Sequence, residues 1–274
     1  MDLAHLESLE AGSIYIIREA YYKYRDRLAA LVSWGKDSTT MLYLIREAFF
    51  GEVPIPVVHI DTSFKLKPIY SFRDRLVKEW NLKLIVAKNE EALKRGMNPS
   101  MGRFKCCTAL KTEALKQAIA KYGFKALFVA IRRDEHAIRA KERVVSPRDS
   151  EFRWSVMDQP PELWDQFNEL DEEGKHVRIH PMLGWREIDI WEFIKLKGIP
   201  VNPLYFAKKW PDGKWRRYRS LGCEPCTVPI ESEAKTIDEI IEELKSTKVP
   251  ERAGRAQDKE MSYMMQKLRS LGYM

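Results

Sequence analysis

The sequence predicts a doubly wound α/β fold, a parallel sheet with helices on both faces. Short apolar runs alternate with longer segments of helical periodicity, glycines close most of those segments, and a glycine-containing loop follows the first apolar run. Residues 3–24 place Leu3, Leu6, Leu9, Ile14, Ile17 and Tyr21 at helical spacing, which predicts an amphipathic helix leading into the fold. Leu28 to Val32, Ile55 to Ile60, Leu82 to Ala87, Ala126 to Ile131 and Val177 to His180 read as buried strands. Between them lie helical segments: Ser38 to Phe50 stopped by Gly51, Pro68 to Trp80, Thr108 to Tyr122 stopped by Gly123, and Glu187 to Lys197 stopped by Gly198. In such sheets ligands bind beyond the carboxyl ends of the strands, so the loops there are the candidates for chemistry. From about Asn202 the pattern changes to KKWPDGKWRRYRSLGCEPC, followed by helices near Ile237 to Lys245 and Asp258 to Leu271. The expected organisation is a sheet domain over residues 1–200 and a C-terminal segment over 201–274 that carries the CxxC and the tail helices.

Composition sets bounds on this reading. The chain has 274 residues, 47 Lys+Arg against 40 Asp+Glu, and a net charge of +7. That length suits one large domain, or one domain with an appendage. A hydrophobic share of 45%, with 11% aromatic residues, excludes disorder of the whole chain. The opening MDLAHLESLE has no basic region before an apolar run, so a secretory leader is not expected. No apolar run reaches the roughly 18 residues of a membrane span, so neither a membrane partner nor a location outside the cytoplasm is expected. The surplus positive charge fits an anionic partner, and equally a solvated basic surface. The four cysteines, at 106, 107, 223 and 226, are too few for a secreted disulfide scaffold and leave thiols for a metal or a reaction.

The first strand runs through Ser33-Trp34-Gly35-Lys36-Asp37-Ser38-Thr39 directly into a helix. A glycine allows close approach of the backbone, the helix N-terminus supplies positive potential and Lys36 a full charge, which together make a phosphate cradle. A Walker A loop needs G-x-x-x-x-G-K-[ST], and this string does not match it. It resembles instead the S-G-G-K-D-S loop of the PP-loop ATP pyrophosphatases, which cleave ATP between the α and β phosphates, with Trp34 in place of the first glycine. His59-Ile60-Asp61-Thr62 is similar to the H-[IV]-D-T that borders the adenosine in that family. Read without the resemblance, His59 is a core imidazole and Asp61 a helix cap. Arg132-Arg133-Asp134-Glu135 and Arg139-Ala140-Lys141-Glu142-Arg143 resemble a stretch of the small, catalytic subunit of bacterial sulfate adenylyltransferase. The likeness continues through Pro161-Glu162-Leu163-Trp164, Trp191, Glu251-Arg252-Ala253-Gly254-Arg255 and Gly272-Tyr273.

On these strings the chain is identified as a member of the sulfate adenylyltransferase small-subunit / phosphoadenylylsulfate reductase superfamily, whose fold is adenine nucleotide α-hydrolase-like. The resemblance implies a PP-loop ATP pyrophosphatase in which an oxyanion attacks the α phosphorus of ATP, with Mg²⁺ on the phosphates. It implies ATP binding by Ser33, Trp34, Gly35, Lys36, Asp37, Ser38, Thr39, His59, Asp61 and Thr62. Lys36, Arg132 and Arg133 become catalytic candidates, and Arg133, Arg139, Lys141 and Arg143 candidates for the acceptor oxyanion.

Adjacent cysteines do not easily occupy two corners of a zinc tetrahedron. Cys106-Cys107 with Cys223-Glu224-Pro225-Cys226, inside the string LGCEPCT, resembles the [4Fe-4S] ligand set of assimilatory adenylylsulfate reductases. Cys106, Cys107, Cys223 and Cys226 are therefore candidate metal ligands, with zinc and a redox disulfide as alternatives. The reductases also need a nucleophilic cysteine near the C-terminus, and this sequence has none after Cys226. A PP-loop with this cysteine set resembles the ATP pyrophosphatases of DNA phosphorothioation, so the first expectation is sulfur modification of nucleic acid, with a cysteine desulfurase as sulfur donor. Lys208, Lys209, Trp210, Lys214, Trp215, Arg216, Arg217, Tyr218 and Arg219 would then contact the nucleic acid, or else form a solvated hairpin. The alternatives are sulfate adenylylation with a GTPase large subunit, reduction of adenylyl sulfate, and a cluster-bearing module that binds ATP without turning it over.

Overall fold

The computed structural model describes residues 1–163, 166–167, 176–255 and 263–273. Trp164, and residues 258–262 of the expected final helix, lie outside the described residues. In chain order, α1 (Leu3–Tyr24) leads into β1 (Leu28–Leu31), α2 (Lys36–Ala48), β2 (Val57–Ile60), α3 (Lys67–Glu79) and β3 (Leu84–Ala87). A short α4 (Glu90–Lys94) and α5 (Arg103–Cys107) precede α6 (Glu113–Tyr122), then come β4 (Ala126–Val129) and β5 (Val145–Arg148). The two-residue strands β6 (Glu162–Leu163) and β7 (Gln166–Phe167) pair with each other, and are followed by β8 (His176–Ile179) and α7 (Glu187–Lys197). The C-terminal part holds β9 (Lys208–Lys209), β10 (Trp215–Arg217), β11 (Ile230–Glu231), α8 (Ile237–Ser246) and α9 (Met264–Ser270).

The main sheet has the order β3-β2-β1-β4-β8-β5. From β3 to β8 every pairing is parallel, and β5 joins the edge antiparallel to β8. The parallel, doubly wound core is therefore as expected, and β5 is the departure. Its sequence, Val-Ser-Pro-Arg, has no apolar run, and Pro147 lacks the N–H of a central strand, so it fits only at an edge.

Alternate residues serve the two faces. Leu28, Ala30, Val57, Ala126, Phe128, Val177 and Ile179 join one core with residues of α1, α2, α3, α7 and α8. Ala29, Leu31, Val58, Ile60, Leu127 and Val129 join a second with Leu115, Ala118 and Ile119 of α6. β1, β2, β4 and β8 are buried on both sides, which is why they read as continuous apolar runs, while β3 at the edge is only partly covered. Tyr205, Leu221, Ala234, Ile240 and Ile241 of the C-terminal segment belong to the first core.

The helix expected from Thr108 to Tyr122 begins earlier, at Arg103 after Gly102, and contains a π-helical turn over Thr108–Thr112. Cys106 and Cys107 are thus helical residues, and the wider turn brings Lys111 to a buried position. β2 and β4 flank β1 while the chain order reverses between them, so the crevice at the carboxyl ends of β1 and β4 is the topological switch point. No helix among the described residues is long and apolar enough to cross a membrane.

Candidate active site

A cleft of about 970 Å³, including the part open to solvent, lies at that switch point. Its walls include Ser33, Gly35, Asp37 and Ser38 after β1 and Ile131, Glu135 and Arg139 after β4. The C-terminal segment closes it with Tyr205, Glu251, Arg252, Arg255 and Tyr273. Gly35 is the N-cap of α2, and a Cβ there would stand 3.0 Å from the Tyr205 hydroxyl. That hydroxyl accepts the Lys36 N–H at 2.8 Å, so a side chain at position 35 would push apart the contact that fixes the loop. Ser38 Oγ accepts the Ser33 N–H at 3.3 Å and donates to the Gly35 carbonyl at 3.2 Å.

Lys36 and Arg132 lie side by side beneath this wall, their side chains 0% exposed. Both pair with the carboxylate of Glu251, and Arg132 also pairs with Asp37 and, at 3.0 Å, with Asp134. Lys36 Nζ reaches Asp37 at 3.1 Å. Burial alone would raise the Glu251 pKa, but Lys36 and Arg132 hold it well below the usual carboxylate range. The Arg132 guanidinium is in turn held charged, Glu251 being its strongest electrostatic partner. Of the three catalytic candidates, Lys36 and Arg132 stand together here and Arg133 is exposed, while Glu251 was visible in the sequence only as part of a string.

Several expected site residues lie elsewhere. Trp34 has a left-handed backbone, φ 65°, which turns its side chain into the first core, 0% exposed and 6.2 Å from the His59 ring. It therefore does not face the cleft, and Gly35 and Ser33 line it instead. His59 is fully buried with Nδ1 3.2 Å from the Val32 carbonyl, and burial pushes its pKa down to about 3, a neutral core imidazole. Asp61 accepts the Ser63 N–H at 2.8 Å and the Tyr70 hydroxyl at 2.7 Å, and Lys88 stands 3.3 Å away. Its role is to hold the turn after β2. Thr39 is buried behind the loop, and Thr62 stands with Oγ1 3.1 Å from Cys223 Sγ. Of the basic residues after β4, Arg139 lines the cleft and pairs with Glu135, whereas Arg133 and Lys141 are exposed. Neither they nor Arg143, whose carbonyl is 2.7 Å from His180 Nδ1, belongs to the cleft wall. Arg252 and Arg255, named in the sequence only within a string, and Lys65 and Lys111, which no motif singled out, supply the basic lining. Arg255 crosses directly over Gly222, where a Cβ would meet its Nη1 at 1.8 Å, and donates to Ser220 Oγ at 2.9 Å.

The four cysteines are buried and free. Among the described residues no three His, Cys, Asp or Glu side chains stand close enough to hold a metal ion, so a preassembled mononuclear site is not present. The thiols are nonetheless electrostatic neighbours. Burial, with Cys107, Cys223 and Cys226 nearby, pushes Cys106 up to about 12, and burial with Cys223 and Cys107 raises Cys226. Cys223 moves the other way, to about 7: burial opposes ionisation, but Lys111, Lys65 and Thr62 outweigh it. The thiol group thus adjoins the lysine-lined wall of the cleft.

The basic aromatic stretch forms the antiparallel ladder β9-β10-β11. Most of its charge is spent inside the chain: Arg216 pairs with Asp212, Lys214 with Glu231, Arg217 with Glu243 at 2.6 Å and Arg219 with Glu187 at 2.7 Å. Lys208 and Lys209 remain exposed. Of the two alternatives, the ion pairing within the chain favours the solvated hairpin.

Fold and cleft define an adenine nucleotide α-hydrolase-like protein with its principal cleft after the first strand. Residues 27–229 match the phosphoadenosine phosphosulfate reductase domain, and the chain belongs to that family. It is 42% identical to sulfate adenylyltransferase subunit 2 of Pseudomonas paraeruginosa over 301 residues, covering 99% of this chain and 98% of the relative. It is 44% identical to sulfate adenylyltransferase subunit 2 of Saccharophagus degradans over 297 residues, with the same coverage. Among solved structures, phosphoadenylyl-sulfate reductase from Candida auris matches with a TM-score of 0.56 at 16% identity, over 83% of this chain and 98% of that one. Candida glabrata FMN adenylyltransferase, in complex with FMN and an ATP analogue, matches with a TM-score of 0.58 at 17% identity, over 98% and 86%. These structural likenesses bear on the fold. With the end-to-end sequence match, the chain is an enzyme of the adenylyltransferase class.

Proposed function

We propose that the chain adenylylates sulfate: a sulfate oxygen attacks the α phosphorus of ATP, the bond to the bridging oxygen of the β phosphate breaks, and adenylyl sulfate and pyrophosphate leave. The observation that supports this reading is the buried Lys36–Arg132 pair at the switch point, gathered round Glu251, which lines the basic cleft in front of it. Lys36, Arg132 and the N–H groups at the start of α2 would hold the β and γ phosphates and neutralise the charge of the leaving pyrophosphate. Arg139, Arg252 and Arg255 would align the acceptor, guanidinium forks being matched to tetrahedral oxyanions. Positioning and charge neutralisation account for most catalysis in such transfers. The Asp37 carboxylate, on the cleft wall beside the cradle, has the hard oxygen donors that Mg²⁺ takes and would hold the ion, which would supply neutralisation of the phosphate charge.

The end-to-end likeness to second subunits of sulfate adenylyltransferase, with the internally neutralised hairpin, puts sulfate ahead of nucleic acid as acceptor. The same likeness supports a GTPase large subunit as partner. A second reading, sulfur modification of nucleic acid with a cysteine desulfurase as donor, rests on the four buried thiols. Their soft donors and basic surroundings fit a [4Fe-4S] cluster held by Cys106, Cys107, Cys223 and Cys226, since an anionic cluster spans more space than a single ion. Such a cluster, when bound, supplies electron transfer or sulfur carriage. The test is ATP–pyrophosphate exchange with sulfate, adenylyl sulfate, DNA or tRNA offered singly. Sulfate-dependent exchange is expected, and exchange that only DNA or tRNA supports would replace the first reading by the second.

A further inference from the structure

Among the residues on the wall of the main cleft, Tyr273 takes no part in the cradle round Lys36. Three separate features put it on that wall. Gly272 has φ 94°, and a Cβ there would stand 2.7 Å from the Phe152 carbonyl oxygen, so only glycine lets the chain pass this close. The main chain beyond it is held from two sides. The Tyr273 N–H donates to the Leu268 carbonyl at 2.9 Å, while Arg178 of β8 donates to the carbonyl of Gly272 and, at 2.9 Å, to that of Tyr273. The Tyr273 side chain joins Met264, Met265 and Leu268 of α9 and Cys107 of α5 in one apolar cluster. Sheet, helix and glycine thus fix where this residue stands.

The anchoring brings the phenol to Lys111, on the π-helical turn. Lys111 Nζ donates to the Tyr273 hydroxyl at 3.2 Å and lies 5.4 Å from the ring centroid. Both residues line the cleft, and each keeps some exposed surface, 6% for Tyr273 and 8% for Lys111. An ammonium has no lone pair, so this contact fills one acceptor position of the hydroxyl and leaves the hydroxyl's own proton unspent. No described residue accepts that proton. On its other side Tyr273 is an electrostatic neighbour of Arg139, which lines the same cleft. The phenol therefore adjoins both the lysine wall and an arginine assigned to the acceptor, with one donor to offer. Sulfate at neutral pH carries no proton and only accepts hydrogen bonds, so a wall of donors suits it.

We propose that Tyr273 is an acceptor-binding residue, its hydroxyl donating to an oxygen of the sulfate group while Lys111 holds that hydroxyl in place. The proposal rests on the sulfate reading for the identity of the acceptor. Gly272 and Arg178 are positioning residues: they act on the acceptor only by setting where the phenol stands.

The test is calorimetric titration of the full chain with adenylyl sulfate and with AMP, which lacks the sulfate group, for the parent, Tyr273→Phe and Gly272→Ala. The parent should bind adenylyl sulfate more tightly than AMP. Tyr273→Phe removes one hydrogen bond to a charged group, so it should weaken adenylyl sulfate by about tenfold or more and change AMP by less than about twofold. Gly272→Ala keeps the hydroxyl but displaces it, and should show the same split between the two ligands. Should Gly272→Ala fail to fold, Tyr273→Phe, which conserves the ring, decides alone. Sulfate-dependent ATP–pyrophosphate exchange by the parent tests the underlying reading separately. A parent that does not exchange but shows the split keeps Tyr273 at a sulfate-binding site while the adenylylation reading falls; a parent that exchanges without the split overturns the proposal alone. Equal weakening of both ligands, undiminished binding of adenylyl sulfate to Tyr273→Phe, or a parent that binds adenylyl sulfate no more tightly than AMP would also overturn it.

Discussion

Glu251→Gln separates the two things that the Glu251 carboxylate does. In the free chain it neutralises Lys36 and Arg132, both with side chains 0% exposed, and its own side chain is 4% exposed. Removing one partner of a buried ion pair costs about 3–5 kcal/mol, because the remaining charges stay buried and unpaired. A chain of this size loses about 2–4 °C per kcal/mol, so the melting temperature should fall by roughly 6–20 °C. If the carboxylate also occupies the position of a phosphate, pyrophosphate has to displace it, and the amide should compete less well. Recovery of about 1.4 kcal/mol of the lost stabilisation through the ligand is a tenfold tighter Kd. The assay is calorimetric titration with pyrophosphate beside thermal melting with and without it. The expected result is a variant that is less stable alone, binds pyrophosphate at least tenfold more tightly, and recovers most of its melting temperature when saturated. A destabilised variant whose pyrophosphate affinity is unchanged or weaker would refute the reasoning, since Glu251 would then only hold the fold together.

Three further outcomes are expected. Trp34→Gly relieves a left-handed backbone worth about 1–2 kcal/mol but empties a fully buried indole site that costs about 3–5 kcal/mol, so urea unfolding should show a net loss of about 1–4 kcal/mol. A gain in stability would mean that the side chain is not packed in the core. His59 is neutral when folded, its pKa lowered by burial to about 3. The unfolded chain takes up this proton below about pH 6.5 and the folded chain does not, so stability present above pH 6.5 is lost at about 1.4 kcal/mol per unit as the pH falls towards 3. His59→Gln should remove that share of the acid slope in denaturant midpoints between pH 6.5 and 5, and parallel slopes would contradict it. On the second reading, the chain purified without oxygen should carry about four irons with charge-transfer absorption in the visible. Cys223→Ser should lose most of both, and zinc found in place of iron would refute the assignment.

Much of the sheet was legible because its strands are buried on both faces. Runs such as Leu28 to Val32 and Ala126 to Ile131 admit little else, and β1 and β4 lie within them. β5 was not legible, since Val145–Arg148 is stabilised by pairing with β8 and by what covers its polar face, neither of which leaves an apolar pattern. In the site, the order of residues gave Lys36 and Arg132 but not the direction of Trp34, which depends on one backbone angle. Glu251 lies 215 positions from the lysine that it meets, and no local pattern records such a contact. The hairpin read as a cationic surface because its neutralising partners, Glu187 and Glu243, lie on α7 and α8. Charge in a sequence is counted residue by residue, whereas a binding face depends on which charges folding leaves unpaired.

The central claim is that the cradle around Lys36 and Arg132 transfers an adenylyl group to sulfate. Its most direct test is product analysis with ATP labelled in the α phosphate, incubated with the chain, alone and with the GTPase large subunit proposed as its partner, and with sulfate as the sole acceptor. The account predicts labelled adenylyl sulfate formed together with pyrophosphate, and neither product from Lys36→Ala. Label that passes to DNA or tRNA and never to sulfate, or adenylyl sulfate formed equally well by Lys36→Ala, would contradict it.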